Sequence, residues 1–212
     1  MTELKTHWAD IHENKDKDVS WWQESLWTEF LEIIECDGAA IDVGSGQSPL
    51  AIEFSKAGFE PVFINDLAEN ALVKLAQKAN LENIQLQSVP GNILDVVIPN
   101  KLSLWHDRAV FHFLTIPEEI KRYKTKVLQS SMPNSYLVVS TFSENGPDQC
   151  SGLNVAKYSP DQLANVFAPE FKVLRSEKRI HKTPWASEQE FSIAVMQQNE
   201  PSIEVTFTPK DH

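Results

Sequence analysis

The residues of this chain best suited to chemistry stand just after short apolar runs. Ile41-Asp-Val-Gly-Ser-Gly46 closes the first run, Asp66 and Leu67 close the second, Gly91-Asn92-Ile93 follows the third, and His106-Asp107-Arg108 follows the fourth. Glycines at such a place let the backbone turn sharply and let a ligand lie against bare main chain. A carboxylate twenty positions beyond Gly46 has the spacing at which a nucleotide-type site accepts hydrogen bonds from a ribose diol. Cys150, between Gly146 and Gly152, and His181 each fall in a loop after a later run. The tandem Trp21 and Trp22 stand ahead of all of them, either as core anchors or as a lid over an adenosyl group or a sulfonium.

The elements that must position these residues alternate. The sequence predicts an amphipathic helix over Ser25–Ile34, strand Ala39–Val43, helix Pro49–Lys56, strand Pro61–Asn65, helix Glu69–Ala79, strand Ile84–Val89, strand Leu102–Trp105, helix Pro117–Gln129, strand Tyr136–Phe142, helix Pro160–Phe167 and strands Phe171–Ile180 and Phe191–Gln197. This rhythm specifies an α/β protein: a Rossmann-like, seven-stranded, mostly parallel sheet with helices on both faces. The segment 181–188 is too short for a crossover helix, so the last strand should run antiparallel. Ligands of open parallel sheets bind beyond the C-terminal strand ends, which is where the candidate residues fall. Residues 1–20 are polar and read as a flexible lead-in, 1–24 as a lid or cap, and 198–212 as a loosely held tail on one domain of 212 residues.

A nicotinamide or flavin site wants a third glycine where the pyrophosphate crosses the helix N-terminus, and this chain has Pro49 there. S-adenosylmethionine carries no phosphate, so it needs the open turn and the ribose acid but less of an anion cradle. The residues therefore favour that cofactor over NAD. Gly91 and its neighbours would border the adenine, or form an ordinary strand-end turn.

With these residues in view, the sequence resembles the class I S-adenosylmethionine-dependent methyltransferases. It looks like a small bacterial-type group with Val19-Ser-Trp-Trp-Gln23, Ile41–Gly46, Leu104-Trp-His-Asp-Arg-Ala-Val-Phe-His-Phe-Leu114, the Gly146–Leu153 loop and His181-Lys-Thr-Pro-Trp185. The resemblance implies that Asp42, Gly44, Ser45 and Gly46 line the methionine part, that Asp66 and Leu67 hold the ribose, and that Gly91, Asn92 and Ile93 frame the adenine, with Trp22 and His106 close by. The chain departs from the group at Ser48, where relatives often carry Gly, at Asn92, where an acid is common, and at Met132-Pro-Asn-Ser135, where Pro-Gly-Gly is usual. Asn134 tolerates the left-handed conformation that such a turn requires.

Methyl transfer is an in-line displacement, so the protein's tasks are to align the acceptor and manage its proton. Asp107, Arg108, Cys150 and His181 are the catalytic candidates, expected to converge at one edge of the sheet. Asp107 and Arg108 could instead form a structural ion pair, Cys150 and His181 could pack, and His112 reads as a satisfied core or rim histidine. A thiol with an imidazole suits a soft acceptor such as a thiol, selenium or metalloid compound. One Cys and one His do not make a structural zinc site, so no metal is expected.

Nineteen Lys and Arg against thirty Asp and Glu set a net charge of -11, which repels nucleic-acid backbones and anionic lipid. Two cysteines without a CxxC pair suit a reducing compartment, and no run is apolar enough for a membrane span, so a cytoplasmic monomer is expected. The acceptor is read as a small molecule, with a protein lysine as the alternative. A non-catalytic cofactor-binding module is disfavoured by the polar residues at the methyl-facing edge.

Overall fold

The computed structural model describes residues 2–14, 28–183 and 187–200. In chain order these form α1 (Thr2–Asn14), a 3-10 turn (Glu29–Glu32), β1 (Ala40–Val43), α2 (Leu50–Ala57), β2 (Val62–Asp66), α3 (Glu69–Leu81), β3 (Leu86–Pro90) and β4 (Leu102–Arg108). A second 3-10 turn (Phe111–Phe113) leads into α4 (Pro117–Ser130), β5 (Ser131–Phe142), the short pair β6 (Gln149–Cys150) and β7 (Leu153–Asn154), α5 (Pro160–Phe167), β8 (Phe171–Lys182) and β9 (Glu188–Gln198).

Seven strands pair in the order β3-β2-β1-β4-β5-β9-β8. β9 runs antiparallel to both β5 and β8, and every other pairing is parallel. The five residues between β8 and β9 leave room only for a tight reversal. Strand order reverses between β1 and β4, which makes their C-terminal ends the switch point. β1 is buried at all four positions, as a central strand covered on both faces must be. One face packs α2 and α3 against Ile64, Leu104, Val138 and Ile193; the other packs α4 and α5 against Ile41, Trp105, Leu137 and Met196. Local signals start the later helices: Pro117 with Glu118 and Glu119 opens α4, and Ser159 and Gln162 form a reciprocal capping box on α5.

Three expectations are corrected. Residues 2–14 are helical rather than a flexible lead-in, because the polar α1 docks on α3 through Lys5–Glu69 and through Asn70 and Lys74, whose side chains donate to the carbonyls of Ala9 and His12. The helix expected to run to Ile34 gives way, among its described residues, to the 3-10 turn Glu29–Glu32. β4 extends three residues past Trp105, since Asp107 pairs with Val43 and Arg108 with Ser140. His106, Asp107 and Arg108 therefore lie on the strand and alternate between its two faces. Asn134 does adopt positive φ, at 63°. The expected tail falls outside the described residues beyond 200.

Candidate functional site

The glycine turn between β1 and α2 is tied to the end of β2. Ser45 N–H donates to Asn65 O at 2.9 Å, Gly46 N–H to Asp66 Oδ2 at 2.9 Å, and Ala68 N–H to Asp66 Oδ1 at 2.8 Å. Asp66 thus orders the turn and the first residues toward α3, in addition to any role toward a ligand. Gly44 and Gly46 have φ of 64° and 53°. A Cβ on Gly44 would meet Val110 Cγ2 at 2.0 Å, and one on Gly46 would meet His12 Cε1 at 2.7 Å, so conformation and close approach both demand glycine there. Leu67 lies between the two ends of this arrangement, directly after Asp66.

At the end of β3, Asn65 Nδ2 donates to the carbonyls of Val89 and Gly91, and Gly91 N–H donates to Asp66 O. Asn92 does not present its amide oxygen outward: Oδ1 accepts from Leu94 N–H at 3.0 Å, capping the local turn. Ile93 is buried with Leu94 and Val89 in the α4/α5 core layer. Both residues build the floor of this end of the sheet.

The β4 residues separate by face. His106 and Asp42 are side by side in register, 1% and 2% exposed, with Nδ1 2.7 Å from Asp42 Oδ1. The imidazole stacks on Phe30 (5.6 Å, 14°) and meets Phe54 edge-on. Asp42 is thereby engaged on the sheet face rather than in the turn. Arg108, on the same face nearer the edge, donates through Nη2 to Ser48 Oγ at 2.8 Å, so Ser48 serves the departure from glycine with a strand-to-loop tie. Asp107 points the other way and is fully buried. It accepts from Val110 N–H, Phe111 N–H and the Tyr123 hydroxyl, and burial pushes its carboxyl up to about 6. Strand alternation puts Asp107 and Arg108 on opposite faces, and Asp107 anchors the turn after β4.

Cys150 and His181 do reach the same end of the sheet. The loop carrying Cys150 leaves β5 at Phe142 and returns to it, since Tyr158 N–H donates to Phe142 O. Cys150 packs on the α2/α3 core layer, which includes Phe142 and Phe191. His181 is 2% exposed and lies edge-on to Phe191 at 6.4 Å. Trp22 lies outside the described residues.

Sequence reasoning missed α1. His7 Nε2 lies 3.1 Å from Ser151 O, Trp8 packs edge-on to Phe113 at 5.4 Å, and His12, buried, rests on Gly46 while its carbonyl accepts from Gln47. One helix thus touches the glycine turn, the turn after β4 and the loop after β5. The signal was the Trp8/His12 pair one turn apart on an otherwise polar segment. His112 is buried as expected, its Nδ1 facing Phe142 N–H, but Nε2 has no hydrogen-bond partner among the described residues. Burial lowers its pKa to about 3. Among the described residues no group of three or more His, Cys, Asp or Glu could hold a metal, and no helix is long and apolar enough to cross a membrane.

No family model matches the chain, and no curated protein is significantly similar in sequence. Solved structures are similar in fold. The N-methyltransferase NodS from Bradyrhizobium japonicum WM9, in complex with S-adenosyl-L-homocysteine, is similar over 94% of this chain and 98% of its own, with a TM-score of 0.68 at 12% identity. The 1,6-didemethyltoxoflavin-N1-methyltransferase of Burkholderia thailandensis, with 1,6-didemethyltoxoflavin and S-adenosylhomocysteine bound, is similar over 94% and 88%, with a TM-score of 0.69 at 15% identity. A protein solved in work on conversion of a disulfide bond into a thioacetal group during echinomycin biosynthesis is similar over 95% and 94%, with a TM-score of 0.71 at 14% identity. In strand order and in extent, the chain has the Rossmann-like fold of S-adenosylmethionine-dependent methyltransferases.

Proposed function

We propose that the chain is an S-adenosylmethionine-dependent methyltransferase acting on a small-molecule nucleophile. The observation that carries this reading is the lock between Gly46 and Asp66 at the C-terminal edge, beside the β1/β4 switch point. It joins a glycine-bearing turn to a carboxylate, the pair of features that a sulfonium nucleoside requires. The methyltransferases of like fold that hold S-adenosylhomocysteine support it.

Bound there, the cofactor supplies an electrophilic methyl group on a sulfonium. Gly44, Ser45 and Gly46 would border its methionine part, with Asp42 behind them, and Asp66 and Leu67 its ribose. Gly91, Asn92 and Ile93 would shape the adenine end. His12 would wall the site from above Gly46, which makes α1 part of the cofactor enclosure. Arg108, Cys150 and His181 belong to the acceptor side. Cys150 and His181 fit a soft nucleophile, and the sulfur chemistry of the echinomycin-related neighbour is in keeping with that. The acidic chain, with two cysteines and no CxxC pair, fits work on a small molecule in a reducing compartment, without nucleic acid.

The test is calorimetric titration with S-adenosylmethionine and with NADH, followed by a screen of acceptors for S-adenosylhomocysteine release. Binding of the first and not of the second is expected, with release from thiol or other small nucleophiles. NADH binding, or no binding of S-adenosylmethionine, overturns the proposal.

A further inference from the structure

Asp107 sits where β4 leaves the sheet, and donors surround its carboxyl. Oδ1 accepts from Val110 N–H at 2.9 Å and from Phe111 N–H at 3.1 Å, while Oδ2 accepts from the Tyr123 hydroxyl. The phenol oxygen of Tyr123 in turn accepts from Trp105 Nε1–H at 2.8 Å. Asp107 is 0% exposed, so solvent does not share these bonds.

This arrangement is made for the ionised group, which only accepts. Hydrogen bonds to a charged acceptor are about twice as strong as neutral ones, and protonation removes that advantage from both turn amides. The two amides already occupy both lone pairs of Oδ1, so a proton enters on Oδ2, where it competes with the Tyr123 hydroxyl.

The turn held in this way is the one that meets the glycine turn. Ala109 leaves β4 at a φ of 67°, a left-handed conformation uncommon for alanine, which persists only where the surroundings hold it. Val110 is thereby set against Gly44: its Cγ2 lies 2.0 Å from where a Cβ on that glycine would stand. A change in the grip of Asp107 on Val110 and Phe111 is therefore felt at Gly44.

The groups around Asp107 leave its charge uncompensated. Val43 on β1 and Val139 on β5 flank it in register, and α4 contributes Tyr123, which burial keeps protonated. His106 and Arg108 belong to the opposite face of β4, and His106 adds only a weak favourable pull. His112, in the same turn, is held neutral by burial, with its pKa lowered to about 3. Burial of Asp107 outweighs its donors and raises its pKa to about 6.

We propose that Asp107 is a positioning residue for the cofactor site: ionised, it fixes Val110 against Gly44 and gives the glycine turn its binding geometry, and protonated, it releases that turn and weakens S-adenosylmethionine binding. The cofactor half of this proposal rests on the function proposed above; the link from Asp107 to Gly44 stands without it.

Two measurements on the full-length protein between pH 5 and 7.5 test the halves separately. In the 15N-labelled protein without ligand, the amide resonances of Val110, Phe111 and Gly44 should titrate together near pH 6. Asp107→Asn, which keeps an oxygen for the two amides but has no charge to lose, should abolish that step in all three. Calorimetry should show S-adenosylmethionine affinity falling about tenfold from pH 7 to pH 5, because one unit below the pKa only about one molecule in eleven carries the ionised group. Asp107→Asn should remove this fall. Tyr123→Phe, which takes a donor from Asp107, should move both steps to higher pH, and it serves alone if the asparagine variant does not fold. A Gly44 amide that follows Asp107 in a protein that binds no S-adenosylmethionine at any pH supports the link and counts against the proposed function. A Gly44 amide that stays still while Val110 and Phe111 titrate overturns the proposal. So does a loss of affinity at low pH that persists in Asp107→Asn or keeps its position in Tyr123→Phe.

Discussion

Asp66 carries two main-chain hydrogen bonds in this structure and, on the proposed function, the ribose as well. Asp66→Ala should weaken S-adenosylmethionine binding by about 1.5–3 kcal/mol, the worth of hydrogen bonds to a charged group. Calorimetry on a variant shown to be folded checks it, and unchanged affinity removes Asp66 from the site. Two other buried groups give the molecule an opposed pair of pH responses. Burial raises the Asp107 pKa from 3.8 to about 6 and lowers that of His112 from 6.5 to about 3. Between these limits the folded state holds a proton on Asp107 that the unfolded chain has lost, so this contribution is complete below pH 4 and fades as pH rises to 6. The unfolded chain holds a proton on His112 that the folded state excludes, so that contribution is complete above pH 6.5 and fades as pH falls. From pH 4 to 6 the two slopes cancel. Denaturant unfolding across that window should show His112→Phe losing stability with rising pH, by up to ~3 kcal/mol, and Asp107→Asn gaining it. Parallel slopes in the two variants would refute the assignment.

At the scale of elements, α1 is the piece whose role exceeds its sequence. It is short, polar and would be marginal as an isolated helix, so its order comes from docking across three loops. A variant that lacks residues 1–14 should keep the seven-stranded sheet and release bound S-adenosylmethionine at least tenfold faster, because the wall over Gly46 is gone. Stopped-flow dissociation measures this, and an unchanged rate would show that α1 is a passive cover. The turn after β4 behaves differently. Asp107 holds it from below through Val110 and Phe111, and Val110 presses on Gly44, so β4 passes its geometry directly to the glycine turn.

For the whole molecule, protection should follow the layers. β1, β4 and β5 are buried between helices on both faces, whereas β8 is an edge strand with Val173, Leu174 and Ile180 substantially exposed. Hydrogen exchange should therefore open α1 and the outer edge of β8 by local fluctuation and the central strands only near the global unfolding free energy. Uniform protection across the sheet would contradict this picture of stability.

Much of the architecture was legible without coordinates because strand and helix leave strong periodic signals. The alternation of elements, the antiparallel last strand and the placement of Gly44, Gly46 and Asp66 at one edge all follow from apolar spacing and connection length. These are local properties, and hydrophobic period and loop length carry them faithfully. What the sequence could not decide was which face each polar residue would take. A strand that runs three residues longer than its apolar core turned His106 and Arg108 to one side and Asp107 to the other, where it anchors the turn after β4. Nor could local pattern foresee that α1 would lie on the glycine turn, or that Val110 would press on Gly44. Those are contacts between segments distant in the chain, and only packing, which requires every element at once, determines them.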